Sequence, residues 1–110
     1  IGDAVMWVSA TPELLAKAAL DLVRHPRVLA SDVQVRAGLS YGEVLATGGD
    51  YFGSPVNLAA RLVAAAQPGQ ILVAAPWCNI PEDWPIQVQE PLTLKGFDEP
   101  ITAYQLCDRL

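Results

Sequence analysis

The chain has 110 residues, enough for one small domain, and 52% of them are hydrophobic whereas only 17% are charged. This composition excludes intrinsic disorder, and no run approaches the ~20 consecutive apolar residues that a membrane-spanning helix requires. The formal net charge of −5 argues against a broad basic surface for nucleic acid, but it is compatible with a local phosphate site.

Two elements are predicted near the start of the chain. Residues 4–10, AVMWVSA, are mostly apolar and lie between turn signals, which is typical of a buried strand. A helix follows, because Thr11 is a favoured N-cap residue, Pro12 suits the first helical position and apolar residues then recur at helical spacing. The helix is expected to run to about Arg24, since Pro26 cannot continue it.

A pair of strands is predicted in the middle of the chain. Residues 33–40, VQVRAGLS, alternate apolar and polar side chains, as in a strand with one buried face. A turn at 41–42 would return the chain as a second strand over 43–47, so that the two strands form a hairpin. Glycines on both sides of Asp50 then break the chain, and this carboxylate is expected to lie in a loop.

The second half predicts one helix and several short strands. Ser54-Pro55 is a capping residue followed by proline, so a helix is expected over 55–66. QILVA, residues 70–74, is typical of a buried strand, and 75–85 is expected to be an irregular connection because it holds three prolines. Further strands are predicted near 86–89, 92–95 and 101–107. Strands and helices in this order predict an α+β or α/β domain with one sheet covered by helices.

Asn57 and Arg61 are polar residues on an otherwise apolar predicted helix. Their spacing of four places them on one face, one turn apart. Asn57 lies in the first turn, where an anionic ligand would meet unpaired backbone N–H groups, an amide and a guanidinium together. Taken singly, each residue more often has a purely structural role. Asn57 is a common helix-start residue and Arg61 a common surface residue, while Asp3 and Asp50 are common turn and loop residues.

Five segments resemble, in order and approximate separation, the successive motifs of one known family. They are IGDAVM, VRAGLSYGEV, GDYFGSPVNLAARL, PGQILV and LTLKGF, and they cover nearly the whole chain. They are similar to the motifs of class III nucleotidyl cyclase catalytic domains, above all those of bacterial adenylate cyclases. The resemblance implies an α+β fold with a ferredoxin-like sheet core and helices packed on one face. It also implies that residues 1–110 form a single domain, the C-terminal part of the family's catalytic domain, without its N-terminal strand and helices.

The resemblance implies a role for each matching residue. Asp3 matches the second of two metal-binding aspartates, and Asp50 matches the position that accepts a hydrogen bond from the adenine amino group. Asn57 matches the asparagine that orients the ribose, Arg61 the arginine that stabilises charge on the α-phosphate, and Lys95 a basic residue that contacts the triphosphate. The implied reaction converts ATP to 3′,5′-cyclic AMP and pyrophosphate by attack of the ribose 3′-OH on the α-phosphate, assisted by two Mg²⁺ or Mn²⁺ ions. Guanine-specific relatives do not carry Asp at position 50, so ATP is expected rather than GTP.

The same resemblance implies a homodimer with shared sites, in which Asp3 of one protomer acts with Asn57 and Arg61 of the other. The family's first metal aspartate and its adenine-recognising lysine would precede Ile1, so this chain alone is expected to be inactive. A cytoplasmic location is expected, and an upstream regulatory or membrane-attached segment is compatible with the sequence. The alternative is a catalytically silent, cyclase-like module that binds nucleotide or dimerises.

Overall fold

The computed structural model describes residues 4–107, which contain three helices and six strands joined by loops. The helices are α1 (Pro12–Val23), α2 (Pro26–Leu29) and α3 (Ser54–Ala65). The strands are β1 (Ala37–Ser40), β2 (Leu45–Thr47), β3 (Asp50–Phe52), β4 (Ile71–Ala74), β5 (Ile86–Val88) and β6 (Tyr104–Leu106). Four strands form one sheet in the order β1-β4-β6-β5, and β2 pairs with β3 separately. The predicted mixed α+β fold is confirmed.

Strand β4 lies inside the four-stranded sheet and is the centre of the core. It runs parallel to β1 and antiparallel to β6, and β5 pairs with the other edge of β6. All four residues of β4 are buried. A strand covered on both faces has no polar side to show in its sequence, which explains the unbroken apolar run that predicted it.

The two long helices cover opposite faces of this sheet. Ile71 and Val73 pack with the buried residues of α1, whereas Leu72 and Ala74 pack with those of α3. Because successive side chains of a strand point to opposite faces, the alternation along β4 divides the core into two clusters. The resemblance implied helices packed on one face of the sheet. In the structure, α1 and α3 instead pack on opposite faces.

Helix α1 has the predicted bounds within one residue, and a short helix that the sequence did not predict follows it. Thr11 occupies the N-cap position of α1, although its side chain makes no capping hydrogen bond. Pro26 ends the helical pattern of α1 as expected, but it is also the first residue of α2. His25 caps this second helix, since its Nδ1 accepts a hydrogen bond from the Arg27 backbone N–H at 3.1 Å.

The strand predicted over 4–10 is wrong. Residues 4–9 form no regular structure, and the side chains from Val5 to Val8 are exposed, with Val5 76% and Trp7 56% accessible. A strand needs a neighbour to receive its backbone hydrogen bonds. No strand among residues 4–107 lies beside this segment. An apolar run predicts a strand only where such a neighbour exists.

The hairpin predicted between 33–40 and 43–47 is also wrong. Only 37–40 form β1, and β1 pairs in parallel with β4, with Leu39 opposite Val73. Strand β2 instead pairs with β3, and Thr47 lies opposite Asp50. The turn between them is Gly48-Gly49, with φ of 60° and 79°. A two-residue hairpin turn with positive φ at both positions favours glycine, so this dipeptide was the stronger turn signal.

The last third of the chain is close to the prediction but has less strand. Residues 75–85 are an irregular connection, as expected, and β5 forms at 86–88. The strand expected near 92–95 is reduced to a single bridge between Leu92 and Ile101. No helix among residues 4–107 combines the length and apolarity needed to cross a membrane.

Candidate functional site

Helix α3 presents Asn57 and Arg61 on one exposed face. Leu58 and Leu62, each one residue further along, are completely buried against the sheet. This pair of leucines fixes which side of the helix faces the core, and a step of one residue rotates a side chain away by ~100°. Asn57 and Arg61 are accordingly both exposed, one turn apart, as their spacing predicted.

Neither polar side chain is engaged within the described part of the chain. The side-chain hydrogen bonds among residues 4–107 involve neither the Asn57 amide nor the Arg61 guanidinium. The amide carries both donors and an acceptor, and the guanidinium carries five donors. Both groups are therefore available to a ligand that approaches this face.

The start of α3 differs by one residue from the prediction. Gly53, not Ser54, occupies the N-cap position, and its φ of 137° is a conformation that favours glycine. Its carbonyl oxygen accepts hydrogen bonds from the backbone N–H groups of Val56 at 3.1 Å and of Asn57 at 3.2 Å. Within residues 4–107, no side chain forms a capping hydrogen bond to this helix. The positive end of the helix dipole thus lies within one turn of Asn57.

Asp50 is the first residue of β3 and not a loop residue as expected. Its side chain is exposed, and one carboxylate oxygen accepts a hydrogen bond from the Tyr51 backbone N–H at 2.8 Å. Strand β3 ends at Phe52, one residue before the Gly53 cap of α3, and the two elements are in contact. The fold therefore carries this carboxylate on the hairpin that leads directly into the helix of Asn57 and Arg61.

Lys95 is exposed in a turn that packs beneath the same helix. Its neighbour Leu94 is buried in one cluster with Leu58 and Leu62 of α3. The turn is closed by a hydrogen bond from the Phe97 backbone N–H to the Leu94 carbonyl oxygen at 3.1 Å. The turn that carries Lys95 therefore lies on the α3 side of the sheet, and the Lys95 side chain itself is exposed.

The predicted metal ligand Asp3 lies outside the described residues. Among residues 4–107, no three His, Cys, Asp or Glu side chains are grouped so that they could hold a metal ion. The fold carries Asp50, Asn57 and Arg61 on the continuous β3–α3 segment and Lys95 in a turn whose Leu94 packs against α3, whereas Asp3 lies outside the described residues.

Tyr41 is a buried titratable residue on the opposite side of the sheet from α3. It packs edge-on against Trp84, with ring centroids 5.6 Å apart, beside the cluster that contains α1. Its hydroxyl is buried and has no hydrogen-bond partner among residues 4–107. Burial raises the pKa of Tyr41 above its ordinary value, and the charge of Glu13 adds to this effect. Its position excludes it from the candidate site.

The support of α3 by β1 is the feature that the sequence did not reveal. The Ser40 hydroxyl donates a hydrogen bond to the Pro55 carbonyl oxygen in the first turn of the helix. Gly38 lies against the helix further along, where an added Cβ would come 2.6 Å from the Ala59 carbonyl oxygen. Contacts between residues this far apart in the chain leave no local signal.

Comparison with known proteins identifies the family. Residues 1–108 match the model of the adenylate and guanylate cyclase catalytic domain. The chain is 65% identical over 108 residues to the uncharacterized protein Rv2212 of Mycobacterium tuberculosis (strain ATCC 25618 / H37Rv), over 98% of this chain and 29% of that protein. It is 37% identical over 112 residues to the adenylate cyclase of Glutamicibacter nicotianae, over 96% of this chain and 27% of that protein. The chain thus spans less than a third of these curated relatives.

A solved structure shows the same fold. The adenylate/guanylate cyclase/hydrolase of Silicibacter pomeroyi superposes with a TM-score of 0.68 at 24% identity, over 89% of this chain and 63% of that one. The four-stranded sheet and the helix that carries Asn57 and Arg61 are therefore set in a fold that this protein shares. Together with the match over almost the full length, these findings show that the chain belongs to the family of adenylate and guanylate cyclase catalytic domains.

Proposed function

We propose that the chain is the nucleotide-contacting part of an adenylate cyclase, which converts ATP to 3′,5′-cyclic AMP and pyrophosphate. The observation that carries this proposal is the pair of exposed side chains of Asn57 and Arg61, which have no hydrogen-bond partner among residues 4–107 and lie one turn apart on a helix anchored by buried leucines. Membership of the cyclase family and the name of the Glutamicibacter nicotianae relative support it.

Arg61 acts on the transferring phosphoryl group. The reaction is an attack of the ribose 3′-OH on the α-phosphorus, with pyrophosphate as leaving group, and charge on the phosphoryl oxygens rises in the transition state. An exposed guanidinium that has no hydrogen-bond partner within the described part of the chain supplies donors to those oxygens without first breaking a bond to that part. The work is electrostatic and needs no covalent intermediate.

Asn57 and the start of α3 hold the ribose and phosphates in place. The amide offers a donor and an acceptor to the ribose, and the first turn of α3 adds the positive end of the helix dipole. An intramolecular attack depends strongly on the orientation of the nucleophile, so a rigid helix is a suitable mount for a positioning group. Lys95, on the same side of the sheet, contacts the triphosphate.

Asp50 selects the base. A carboxylate is an acceptor only, so it pairs with the exocyclic amino group of adenine and repels the carbonyl oxygen that guanine carries at the equivalent position. One oxygen already accepts the Tyr51 N–H, which fixes the orientation of the carboxylate. The second oxygen of this exposed carboxylate then accepts the hydrogen bond from the base.

We also propose a homodimer with sites shared between protomers, and a role for Asp3 in binding Mg²⁺ or Mn²⁺. The exposed apolar side chains of the β2–β3 hairpin support an apolar contact with a second copy, since Leu45 is 64% and Phe52 50% accessible. The metal proposal depends on Asp3 and on its match to the family's metal-binding aspartate. Such ions, when bound, neutralise the triphosphate and activate the 3′-OH.

The test is the rate of cyclic AMP formation by the Arg61→Ala variant of the complete protein in which this chain occurs. The proposal predicts that kcat falls by at least about 100-fold, while the dissociation constant for ATP changes by less than about threefold. Arg27→Ala, which removes an exposed arginine from α2, is the matched control and should leave both values unchanged. An equal loss of ATP binding and turnover would contradict the assigned role.

A further inference from the structure

Strand β1 contacts helix α3 at two points that are one helical turn apart. The first is the hydrogen bond from the Ser40 hydroxyl to the Pro55 carbonyl oxygen. The second is the approach of Gly38, where an added Cβ would meet the Ala59 carbonyl oxygen at 2.6 Å and Leu62 Cβ at 2.7 Å. Gly38 and Ser40 are two residues apart, so they lie on the same face of β1.

These two contacts fix different freedoms of the helix. The close backbone approach at Gly38 leaves no room for a side chain between strand and helix, so it sets their distance. The hydrogen bond from Ser40 sets the position of the first turn along and around the helix axis. In the sequence, Asn57 lies between Pro55 of the first contact and Ala59 of the second, and Arg61 directly precedes Leu62 of the second.

The first turn of α3 is held by apolar packing, since Pro55 is buried with its ring against Gly42, but it has few polar restraints from other elements. Pro55 has no backbone N–H to donate, and Gly53 at the N-cap has no side chain. Among residues 4–107, the bond from Ser40 is the one hydrogen bond that joins a side chain to this turn. Loss of the bond would leave Leu58 and Leu62 buried, so the helix would remain while its first turn loosened.

We propose that Ser40 is a positioning residue for the cyclase reaction, which acts by holding the first turn of α3 and therefore Asn57 in register with the substrate. This inference rests on the proposed function. Ser40 itself faces α3 and not the ligand, so its loss affects the geometry of the reacting groups more than the affinity for ATP. The expected signature is a fall in kcat at nearly constant KM.

The test compares Ser40→Thr with Ser40→Val in the complete protein. The two introduced side chains have nearly the same shape and both suit a strand, so the comparison isolates the hydroxyl group. Ser40→Val should lower kcat about tenfold, with the KM for ATP changed less than about twofold, whereas Ser40→Thr should keep at least about half of the wild-type kcat.

A control removes a serine hydroxyl that makes hydrogen bonds away from α3. Ser31, which is exposed after helix α2, donates to the Val28 carbonyl oxygen at 2.9 Å and accepts from the Val33 backbone N–H at 3.1 Å. Ser31→Ala should leave kcat and KM unchanged. Equal kcat values for Ser40→Thr and Ser40→Val, or an equal fall in Ser31→Ala, would overturn the inference.

Amide hydrogen exchange separates this inference from the proposed function. Ser40→Val should increase the exchange rate of the amides at 56–59 at least about threefold relative to Ser40→Thr, and Ser31→Ala should not change it. A wild-type protein that forms no cyclic AMP would contradict the proposed function, and the role of Ser40 in catalysis would fall with it. Active wild-type protein with unchanged exchange in Ser40→Val would overturn the inference alone.

Discussion

Gly38 of β1 lies against Leu62 of α3 so closely that a Cβ on the glycine would be 2.7 Å from the Cβ of the leucine. The added atom would also meet two backbone atoms of the helix, the Ala59 carbonyl oxygen and the Val63 nitrogen, so a rotamer change alone could not relieve the clash. The sheet and the helix that carries the candidate site are thus in direct backbone contact.

Gly38→Ala is expected to destabilise the fold by about 1–3 kcal/mol, because an overpacked contact forces the helix away from the sheet. Urea unfolding followed by circular dichroism measures this change in the free energy of unfolding. Gly48→Ala is the comparison: its added Cβ meets nothing within 4 Å, although its φ of 60° is unfavourable for alanine. A smaller loss in Gly38→Ala than in Gly48→Ala would contradict the close approach.

Tyr41→Phe is expected to leave stability unchanged or to raise it by up to about 1 kcal/mol. The hydroxyl that it removes is buried and has no hydrogen-bond partner in the part of the chain that the structure describes, so the native state loses no bond there and no longer contains a buried polar group. Thermal unfolding at neutral pH measures the effect, and Tyr51→Phe on the exposed hairpin is the control. A loss of more than about 1 kcal/mol would show that the hydroxyl has a partner.

The same residue predicts a dependence of stability on alkaline pH. Burial raises the pKa of Tyr41 in the folded protein above the unfolded value of about 10. Folding therefore favours the neutral form of Tyr41. The free energy of unfolding keeps its full value below the pKa of the unfolded state, and it falls as the pH rises through the pKa of the folded state. Wild-type protein should lose stability more steeply than Tyr41→Phe above about pH 10. Parallel curves would contradict burial of this group.

Asp50→Asn is expected to weaken the preference for ATP over GTP. The carboxylate only accepts hydrogen bonds, whereas the amide also donates and tolerates the guanine carbonyl oxygen. The ratio of kcat/KM for the two nucleotides should fall about 10- to 100-fold, as for the loss of a hydrogen bond to a charged group. Asp21→Asn on the exposed surface of α1 should leave the ratio unchanged. An unchanged ratio in Asp50→Asn would remove the residue from base recognition.

Mixing two inactive variants tests whether sites are shared between protomers. If Asp3 of one protomer acts with Arg61 of the other, a heterodimer of Asp3→Ala and Arg61→Ala has one intact site and one doubly altered site. Random exchange of equal amounts should then restore about one quarter of the wild-type activity, because half the dimers are heterodimers with one working site each. No restoration after verified subunit exchange would indicate that each protomer carries its own complete site.

Local signals in the sequence predicted α1, α3 and β4. Proline at each helix start and a continuous apolar run for β4 depend only on neighbouring residues. The same logic failed over 4–10, because an apolar run does not show whether a partner strand is present. It also failed to predict the partner of the strand at 43–47. Two glycine-containing turns flank this strand, and it pairs across Gly48-Gly49 with β3 rather than across 41–42 with β1.

The candidate site was predictable to the extent that it lies on one helix. The spacing of Asn57 and Arg61 placed both on one face of α3 because helical periodicity is a local property. Their separation from the buried Leu58 and Leu62 follows from the same periodicity. The contact of Ser40 with Pro55 joins residues 15 positions apart, so it required the three-dimensional structure.

The proposed cyclase activity is best tested by cyclic AMP formation from ATP and Mn²⁺ by the complete protein that contains this chain, beside its Arg61→Ala variant. We expect cyclic AMP and pyrophosphate in equal amounts from the wild type, and a rate at least about 100-fold lower from the variant at similar ATP affinity. A wild-type protein that dimerises and binds ATP but forms no cyclic AMP would contradict it and would indicate a nucleotide-binding module.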